Sequence, residues 1–257
     1  MKNALIGDTG FVGSSLIKQT KFDFLYRSTN IDEIRDHNFD SIVCAGASAQ
    51  KWIANREPNK DLKNIESLIS NLKNVNCKQF ILISTVDVFK FPIEVDENSI
   101  VDEDNLNPYG LHRRLLEKFV ENHFENYLIL RLPGLVGPGL RKNVIFDFLN
   151  NNNIELIDRR DIYQFYPMVN LWRDIQIALK NNLKLLHLSA EPITVANVAS
   201  AGFGFEFRQI PKLNPVRYDF RSRYAELFYG LKYYQYSKND TLLAIRHYAQ
   251  SEPLTKK

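Results

Sequence analysis

Three residues in this chain have types and spacings suited to proton transfer on an alcohol or a ketone. Tyr109 and Arg113 stand four positions apart in a helical pattern, so a phenol and a fixed cation share one helix face. A free tyrosine has a pKa of about 10, and a nearby cation lowers it by stabilising the phenolate. Thr85 follows a buried strand and supplies a hydroxyl that could hold the substrate oxygen. The predicted catalytic residues are therefore Thr85, Tyr109 and Arg113.

A glycine turn near the N-terminus predicts a dinucleotide site. Gly7, Gly10 and Gly13 occur in the spacing G-x-x-G-x-x-G, directly after an apolar run and at the start of a helical pattern. Gly7 is expected to close the strand, Gly10 to admit the phosphates, and Gly13 to let the helix pack closely. The dinucleotide would supply or accept the hydride that the proton transfer at Tyr109 requires.

The end of the second predicted strand bears on which dinucleotide binds. An acidic side chain there would accept from the ribose 2′-hydroxyl of NAD, whereas a basic one would tolerate the 2′-phosphate of NADP. This chain has Arg27 and Ser28 there, and its first carboxylate is Asp32. We therefore expect NADP(H) to be favoured, with NAD(H) as the alternative.

Short apolar runs alternate with amphipathic patterns through the first half of the chain, which positions these residues. The predicted strands cover residues 3–6, 22–26, 41–45, 79–84 and 127–132. The predicted helical segments cover 11–19, 32–37, 61–72 and 109–124. Apolar strands separated by amphipathic helices indicate a parallel sheet covered on both faces. The predicted fold is α/β, a Rossmann-type doubly wound sheet with a small C-terminal substrate lobe.

The pattern loosens after Pro133. A loop is expected over 134–139, helices over 143–149 and 171–179, short strands near 154–157 and 185–188, and a helix from a Thr194 cap to residue 201. Residues after 203 are rich in aromatic side chains. We predict one domain over residues 1–257, with a dinucleotide-binding core over 1–135. Residues 136–257 would form mostly the substrate lobe and the aromatic tail.

Composition is ordinary for a globular protein, and we expect the protein to be cytoplasmic. The 257 residues are 44% hydrophobic, and the net charge is +3. We expect no membrane span and no signal peptide. Cys44 and Cys77 adjoin apolar runs and are expected to be reduced structural residues, and no metal site is predicted. The basic excess after Phe205 is too small for us to expect nucleic acid as a partner.

Together, these motifs resemble the extended short-chain dehydrogenase/reductase family, which includes nucleotide-sugar epimerases, 4,6-dehydratases and 4-keto-sugar reductases. The resemblance covers roughly residues 1–200. It depends on the glycine turn, the strand end Ser84-Thr85-x-x-Val88-Phe89 and the helix start Asn107-Pro108-Tyr109-Gly110. Glu57-Pro58 and Asp61 are similar to the loop before the family's long central helix. The resemblance implies that Thr85 is the hydroxyl donor, that Tyr109 is the acid/base, and that residues 131–138 cover the nicotinamide and reach the substrate.

This chain departs from the family pattern at three positions. Arg113 stands where the family has lysine, and arginine cannot release a proton near neutral pH. Val86 and Asp87 stand where dehydratases have an Asp-Glu pair, which argues against 4,6-dehydration. Gly134 stands where many epimerases have asparagine, so substrate contacts must differ.

The resemblance implies a nucleotide-linked sugar as substrate and a homodimer as a possible assembly. The favoured function is a keto-sugar reductase, with epimerisation next. The alternatives are a catalytically weak dinucleotide-binding sensor or scaffold, and a reductase of small non-sugar carbonyls. The residues assigned to the dinucleotide are Gly7, Thr9, Gly10, Phe11, Val12, Gly13, Arg27, Ser28, Ala45, Gly46, Ala47, Tyr109, Arg113 and Pro133. The residues assigned to the substrate are Asp87, Arg141, Lys142, Gln164, Tyr166, Arg217 and Arg221.

Overall fold

The computed structural model describes residues 2–254, and the chain divides into two compact units. The first unit comprises residues 2–90, 99–131 and 172–186. The second comprises 91–98, 132–171 and 187–254. Relative to the division expected at residue 135, residues 91–98 and 132–135 belong to the second unit, and residues 172–186 belong to the first.

A six-stranded sheet forms the centre of the first unit. Its strands are β1 (Asn3–Ile6), β2 (Phe24–Tyr26), β3 (Asn38–Cys44), β4 (Asn76–Thr85), β6 (Tyr127–Leu132) and β10 (Leu185–His187). They lie in the order β10-β6-β4-β3-β1-β2. β1 pairs in parallel with β2 and β3, and β3 pairs in parallel with β4. The predicted Rossmann-type sheet is confirmed.

Helices cover the sheet because its strands are apolar on both faces. The helices of the first unit are α1 (Phe11–Gln19), α2 (Lys51–Arg56), α3 (Pro58–Leu72), α4 (Pro108–His123) and α6 (Leu171–Lys180). Ile65 of α3 and Leu116 of α4 pack in one cluster with Ile6 and Leu82 of the sheet. Leu5 and Ile81 alternate with these cluster residues along β1 and β4, and they are also buried. The strand residues therefore contribute apolar side chains in both directions.

The order of the strands creates a switch point between β1 and β3. From β1 the chain runs to β2 on one side, and it then returns to β3 on the other side of β1. At such a point the two connections leave in opposite directions, and ligands of open α/β sheets bind in the crevice at the carboxyl ends of the strands. The glycine turn follows β1 at this edge.

The second unit is built from short elements. Its strands are β5 (Ile93–Val95), β7 (Gly134–Val136), β8 (Ile162–Tyr163), β9 (Phe165–Pro167), β11 (Ile193–Thr194) and β12 (Asp219–Phe220). They pair as β7 with β9, β8 with β11 and β5 with β12. Its helices are α5 (Val144–Asn150), α7 (Val195–Asn197, continued by a π-helix over Val198–Phe203) and α8 (Lys238–Ser251). The Thr194 hydroxyl caps α7 by accepting from the Asn197 N–H, as predicted.

Two sequence-based assignments in this unit were wrong. Residues 134–139 were expected to be a loop, but the first three form β7 and pair in parallel with β9. Residues 154–157 were expected to be a strand, but Ile154–Leu156 form a 3₁₀ turn that contributes no buried side chain. In both cases the outcome depends on tertiary partners, which a local pattern does not contain.

Both cysteines are free thiols. Burial raises the pKa of Cys44 to about 11 and that of Cys77 to about 12, which makes them poor nucleophiles at neutral pH. Across residues 2–254, helices that combine the length and the apolarity needed to cross a bilayer are absent.

Candidate functional site

Gly7 and Gly13 of the glycine turn are required by close packing. Gly7 has φ of +90°, and a Cβ there would lie 2.4 Å from the Ala45 carbonyl oxygen at the end of β3. A Cβ on Gly13 would lie 2.1 Å from the Gly7 carbonyl oxygen. These contacts let the turn pass tightly from β1 into α1 and keep the helix against the strand.

Gly10 differs, because a Cβ there would meet only the Gly7 carbonyl oxygen, at 3.4 Å. Gly10 is the N-cap of α1, no side chain caps the helix, and its described first turn carries no acidic residue. The uncapped N–H groups and the helix dipole therefore favour an anion above Gly10. The diphosphate of a dinucleotide fits this position. Thr9, Phe11 and Val12 flank Gly10 in the same turn.

The turn is joined to the end of β2. The Gly7 N–H donates to the Tyr26 carbonyl oxygen at 2.7 Å, and Asp8 Oδ2 lies 3.5 Å from the Arg27 guanidinium. Asp8 is buried, and its Oδ1 has no hydrogen-bond partner among the described residues. The Arg27 side chain is half-exposed, and Ser28 follows it on the surface. Sequence reasoning identified Arg27 and missed the carboxylate that pairs with it.

Thr85 and Tyr109 come together at the carboxyl end of β4. Asn107 caps α4 by accepting from the Gly110 N–H, and Asn55 of α2 accepts from the Tyr109 N–H at 3.0 Å. Gly110 permits the approach, because a Cβ there would lie 2.1 Å from the Asp87 carbonyl oxygen. The Thr85 hydroxyl lies next to the Tyr109 phenol and acts as a hydrogen-bonding group that lowers the pKa of the phenol. The structure thus unites the predicted hydroxyl donor with the predicted acid/base.

The pKa of Tyr109 is raised above its ordinary value of about 10. Burial is the largest cause, and the carboxylates of Asp87 and Asp61 act in the same direction. The Arg113 charge and the hydrogen bond from Thr85 lower the pKa but do not outweigh burial. Tyr109 is therefore a protonated phenol at neutral pH, suited to donate a proton.

Arg113 lies over Tyr109, as the spacing predicts, but it is buried. Its Cζ is 4.0 Å from the centroid of the Tyr109 ring, and its side chain is 3% exposed. Nη1 bonds Asp61 Oδ2, and Nη2 bonds the Ser48 carbonyl oxygen. His112 Nδ1 also lies 2.7 Å from Asp61 Oδ2. Nε, which has no partner among the described residues, and the second N–H of Nη2 are the donors that Arg113 could offer to a ribose hydroxyl.

Replacement of Arg113 by Met should destabilise the protein strongly. Asp61 would remain buried with only His112 beside it, and breaking a buried ion pair costs about 3–5 kcal/mol. For a chain of this length, that corresponds to a fall in Tm of roughly 10 °C. Differential scanning calorimetry would measure it, with Arg56→Met as the control, because Arg56 forms an exposed pair with Glu57. Equal melting of the two variants would show that the buried pair contributes little.

Asp87 and Lys51 form a further charged pair beside Thr85. Lys51 Nζ lies 2.7 Å from Asp87 Oδ1, and the Asp87 N–H donates to Thr85 Oγ1 at 3.2 Å. Asp87 was predicted as a substrate contact, whereas Lys51 was missed because no local motif marks it. The pair adds an acid and a cation to the end of β4 that holds the hydroxyl and the phenol.

The other predicted substrate residues belong to the second unit. The Gln164 amide is buried and bonds the carbonyl oxygens of Ala190 and Phe220 and the Phe220 N–H. Tyr166 is fully buried, and Arg221 pairs with Asp219 and Glu94. Arg141, Lys142 and Arg217 are exposed, and Pro133 precedes β7. Gln164, Tyr166 and Arg221 therefore support the second unit itself, and the assignment of this set to the substrate stays a prediction.

Ala45, Gly46 and Ala47 follow β3 at the switch point. A Cβ on Gly46 would lie 2.8 Å from the Ile6 side chain, so this segment passes close to the end of β1. Their assignment to the dinucleotide stays a prediction. Over residues 2–254, His, Cys, Asp and Glu side chains do not gather in groups of three that could hold a metal ion.

The sequence matches a known protein family, and the fold is similar to that of solved structures. A model of the NAD dependent epimerase/dehydratase family matches residues 4–160. No curated protein matches the sequence. Among solved structures, the UDP-glucose 4-epimerase of Thermotoga maritima, crystallised with UDP-glucose, has a TM-score of 0.74 at 17% identity, covering 97% of this chain and 98% of that one.

A reductase and a protein solved with NADPH are similar in fold as well. The dTDP-4-dehydrorhamnose reductase of Clostridium acetobutylicum has a TM-score of 0.72 at 16% identity, covering 96% of this chain and 98% of that one. The protein RMD of Pseudomonas aeruginosa, solved with NADPH, has a TM-score of 0.71 at 16% identity, covering 98% and 99%. At these identities the likeness shows the shared fold.

Proposed function

Because this chain belongs to the NAD dependent epimerase/dehydratase family, we propose that it is a nicotinamide-dinucleotide-dependent enzyme acting on a nucleotide-linked sugar, and specifically a keto-sugar reductase. The observation that carries the proposal is the pairing of Thr85 with Tyr109 at the carboxyl end of β4, in the same unit as the glycine turn. A hydroxyl donor, a protonated phenol and an anion-binding helix start are what carbonyl reduction requires of the protein.

Each residue has a defined part in the proposed reaction. A dinucleotide bound at the glycine turn would supply a hydride for the carbonyl carbon. Tyr109 donates its phenolic proton to the carbonyl oxygen, which the Thr85 hydroxyl holds by a hydrogen bond. Arg113 stabilises the phenolate through its charge over the ring face. Gly10 and the start of α1 hold the diphosphate.

Reduction is favoured over the neighbouring reactions for two reasons. Arg27 at the end of β2 suits the 2′-phosphate of NADP, and a dissociable NADPH serves as a stoichiometric reductant. Val86 removes the first carboxylate of the dehydratase pair. Epimerisation is the second candidate, since the structure of an epimerase with UDP-glucose is similar over nearly the whole chain.

The raised pKa of Tyr109 predicts the pH dependence of the reaction. The acid form of the phenol is retained through neutral pH, so the kcat for carbonyl reduction should be level there. It should fall only at a pH above the ordinary phenol pKa of about 10, because the pKa of Tyr109 is raised. Oxidation of the alcohol product needs the phenolate and should become faster with rising pH. A fall in reductive kcat between about pH 6 and pH 8 would contradict this assignment.

Asp8 and Arg27 should act in opposite directions on cofactor choice. Asp8→Asn removes a buried negative charge next to the expected 2′-phosphate and releases Arg27, so affinity for NADPH relative to NADH should rise. About 1 kcal/mol would give roughly a fivefold change in the ratio of the two Kd values. Arg27→Ala should lower the affinity for NADPH relative to NADH. Calorimetric titration of both dinucleotides measures it, and an unchanged ratio in both variants would place the adenosine ribose elsewhere.

Isotope transfer tests the proposed reaction. The protein is incubated with dTDP-4-dehydrorhamnose and NADPH deuterated at either face of C4, and the product is analysed by mass spectrometry. One deuterium gained from one face supports the reductase. Interconversion of UDP-glucose and UDP-galactose without net consumption of the dinucleotide would support the epimerase instead. No change across a panel of nucleotide-linked keto-sugars would count against both.

A further inference from the structure

A phenol that donates its proton at each turnover must be reprotonated, and Arg113 cannot do this. Arginine stays protonated at any pH near neutrality, so it cannot pass a proton on. Its side chain is also 3% exposed, with both Nη atoms bonded to protein oxygens. Proton supply through this position, where the family pattern has a lysine, is closed in this chain.

A second set of groups leads from Tyr109 towards water. The phenol is in reach of the Thr85 hydroxyl, Thr85 Oγ1 lies 3.5 Å from Asp87 Oδ2, and Asp87 Oδ1 lies 2.7 Å from Lys51 Nζ. Exposure increases along this series, from the buried Tyr109 to 18% for the Asp87 side chain and 41% for that of Lys51. The series therefore begins at the reacting phenol and ends at the solvent.

Backbone contacts hold the groups of this series in place. Thr85 caps the short 3₁₀ turn that carries Asp87 by accepting the Asp87 N–H. Lys51 begins α2, and Asn55 of the same helix accepts the Tyr109 N–H. The helix that presents Lys51 is thus fixed to the start of the helix that presents Tyr109. This backbone link to the phenol distinguishes Lys51 from a lysine such as Lys60, which forms an exposed ion pair with Glu57.

We propose that Asp87 and Lys51 form the proton route that restores Tyr109 in each reductive turnover. The proposal rests on the proposed function. Lys51 gives an ammonium proton to Asp87, and the carboxyl group turns to present that proton to Thr85 Oγ1. After Tyr109 has given its proton to the substrate oxygen, the phenolate takes the Thr85 hydroxyl proton while Thr85 takes the proton from Asp87, so that no free alkoxide forms. Asp87 is then a carboxylate again, and Lys51 regains a proton from water. The sum is one proton from solvent for each hydride transferred, and alcohol oxidation runs the same route outwards.

Several charged groups lie around Tyr109, and a substitution of Lys51 changes the electrostatic potential that they create at the phenol. Arg113 faces the ring from α4, Asp61 lies behind Arg113 on α3 with His112 beside it, and Asp87 follows β4. Lys51 offsets the charge of Asp87. Removing Lys51 therefore has an electrostatic effect on Tyr109 as well as an effect on proton supply, and the experiment has to separate the two.

Two substitutions separate these effects. Lys51→Arg keeps the charge and the pair with Asp87 but cannot release a proton, whereas Lys51→Ala removes both. Lys60→Ala is the matched control, because Lys60 forms an exposed pair with Glu57. Each variant is compared for folding by circular dichroism, for NADPH affinity by calorimetry, and for kcat and KM with the substrate that the wild-type protein turns over. Activity of Lys51→Ala is also measured with added ethylammonium.

A proton route predicts that Lys51→Arg and Lys51→Ala both lose at least tenfold in kcat, with KM and NADPH affinity little changed. Ethylammonium should restore part of the kcat of Lys51→Ala, and Lys60→Ala should match the wild type. If Lys51→Arg keeps full kcat, Lys51 acts by its charge alone and the proposal is overturned.

A measurement without substrate keeps the two proposals distinct. The Tyr109 phenol is titrated by NMR in protein with ¹³C-labelled tyrosine, and its signal is identified by its loss in Tyr109→Phe. The series of contacts predicts that Lys51→Ala raises the pKa of Tyr109, since Asp87 loses its counter-charge, and that Lys51→Arg does not. An unmoved pKa in Lys51→Ala would break the series and overturn the route. Absence of turnover in the wild type would instead count against the proposed function.

Discussion

Tyr109→Phe should lower turnover by at least a thousandfold while leaving dinucleotide binding unchanged. The substitution removes one oxygen from a buried ring that Arg113 overlies at 4.0 Å, so packing and the cation–π contact are preserved. The proton donor is lost, and the Thr85 hydroxyl alone cannot replace it. General acid catalysis contributes about 10² to 10⁴ in rate, and the phenol is the only acid that the proposed mechanism places on the substrate oxygen.

Steady-state kinetics and calorimetry on the same preparation decide this prediction. Tyr127→Phe is the matched control, because Tyr127 also lies in the first unit and its ring faces a cation, Lys184, at 5.0 Å. Turnover by Tyr109→Phe within tenfold of the wild type would remove Tyr109 from the chemistry. Loss of NADPH binding in this variant would show that the phenol contributes to the dinucleotide site instead.

Gly13→Ala should lower stability, whereas Gly10→Ala should leave stability unchanged and weaken dinucleotide binding. A Cβ on Gly13 would lie 2.1 Å from the Gly7 carbonyl oxygen, a contact between backbone atoms that cannot relax without moving α1 off β1. We expect a loss of several kcal/mol in the free energy of unfolding, as for other strongly overpacked positions. Gly10 has φ of −73° and ψ of 166°, which alanine adopts readily.

Gly10→Ala should therefore fold normally and lose dinucleotide affinity, because the methyl group would occupy the space where the phosphates approach the helix start. A fall of at least tenfold in NADPH affinity, with an unchanged midpoint in urea, is the expected result. Thermal and denaturant melts of both variants, followed by calorimetric titration, measure it. Normal NADPH binding by Gly10→Ala would show that the diphosphate does not lie above this residue.

Much of the first unit could be predicted because its signals are local. Strand β1 and helix α1 have the predicted bounds, since an apolar run, a glycine turn and an amphipathic pattern follow one another directly. β6 also coincides with its prediction. The second unit was predicted less well, because its strands are short and find partners far along the chain. β5 pairs with β12, more than a hundred residues later, and no local periodicity marks a strand of two or three residues.

The candidate site shows the same division. Tyr109 and Arg113 share a helix, so their spacing predicts that they meet, and Thr85 was found because it ends a buried strand. The partners that define their chemistry come from elsewhere: Asp61 from α3 pairs with Arg113, and Lys51 from α2 pairs with Asp87. Burial reversed one expectation. The cation was expected to lower the pKa of Tyr109, yet desolvation outweighs it and the pKa is raised.

Calorimetric titration of NADPH and NADH into the wild-type protein, after removal of any carried-over dinucleotide, tests the central claim most directly. The glycine turn, the uncapped start of α1 and the Thr85–Tyr109 pair predict binding of one dinucleotide per chain with micromolar or tighter affinity. Preference for NADPH would support Arg27 as the 2′-phosphate contact, and tight retention of NAD(H) would favour epimerisation. Binding of neither dinucleotide would contradict the assignment of this site.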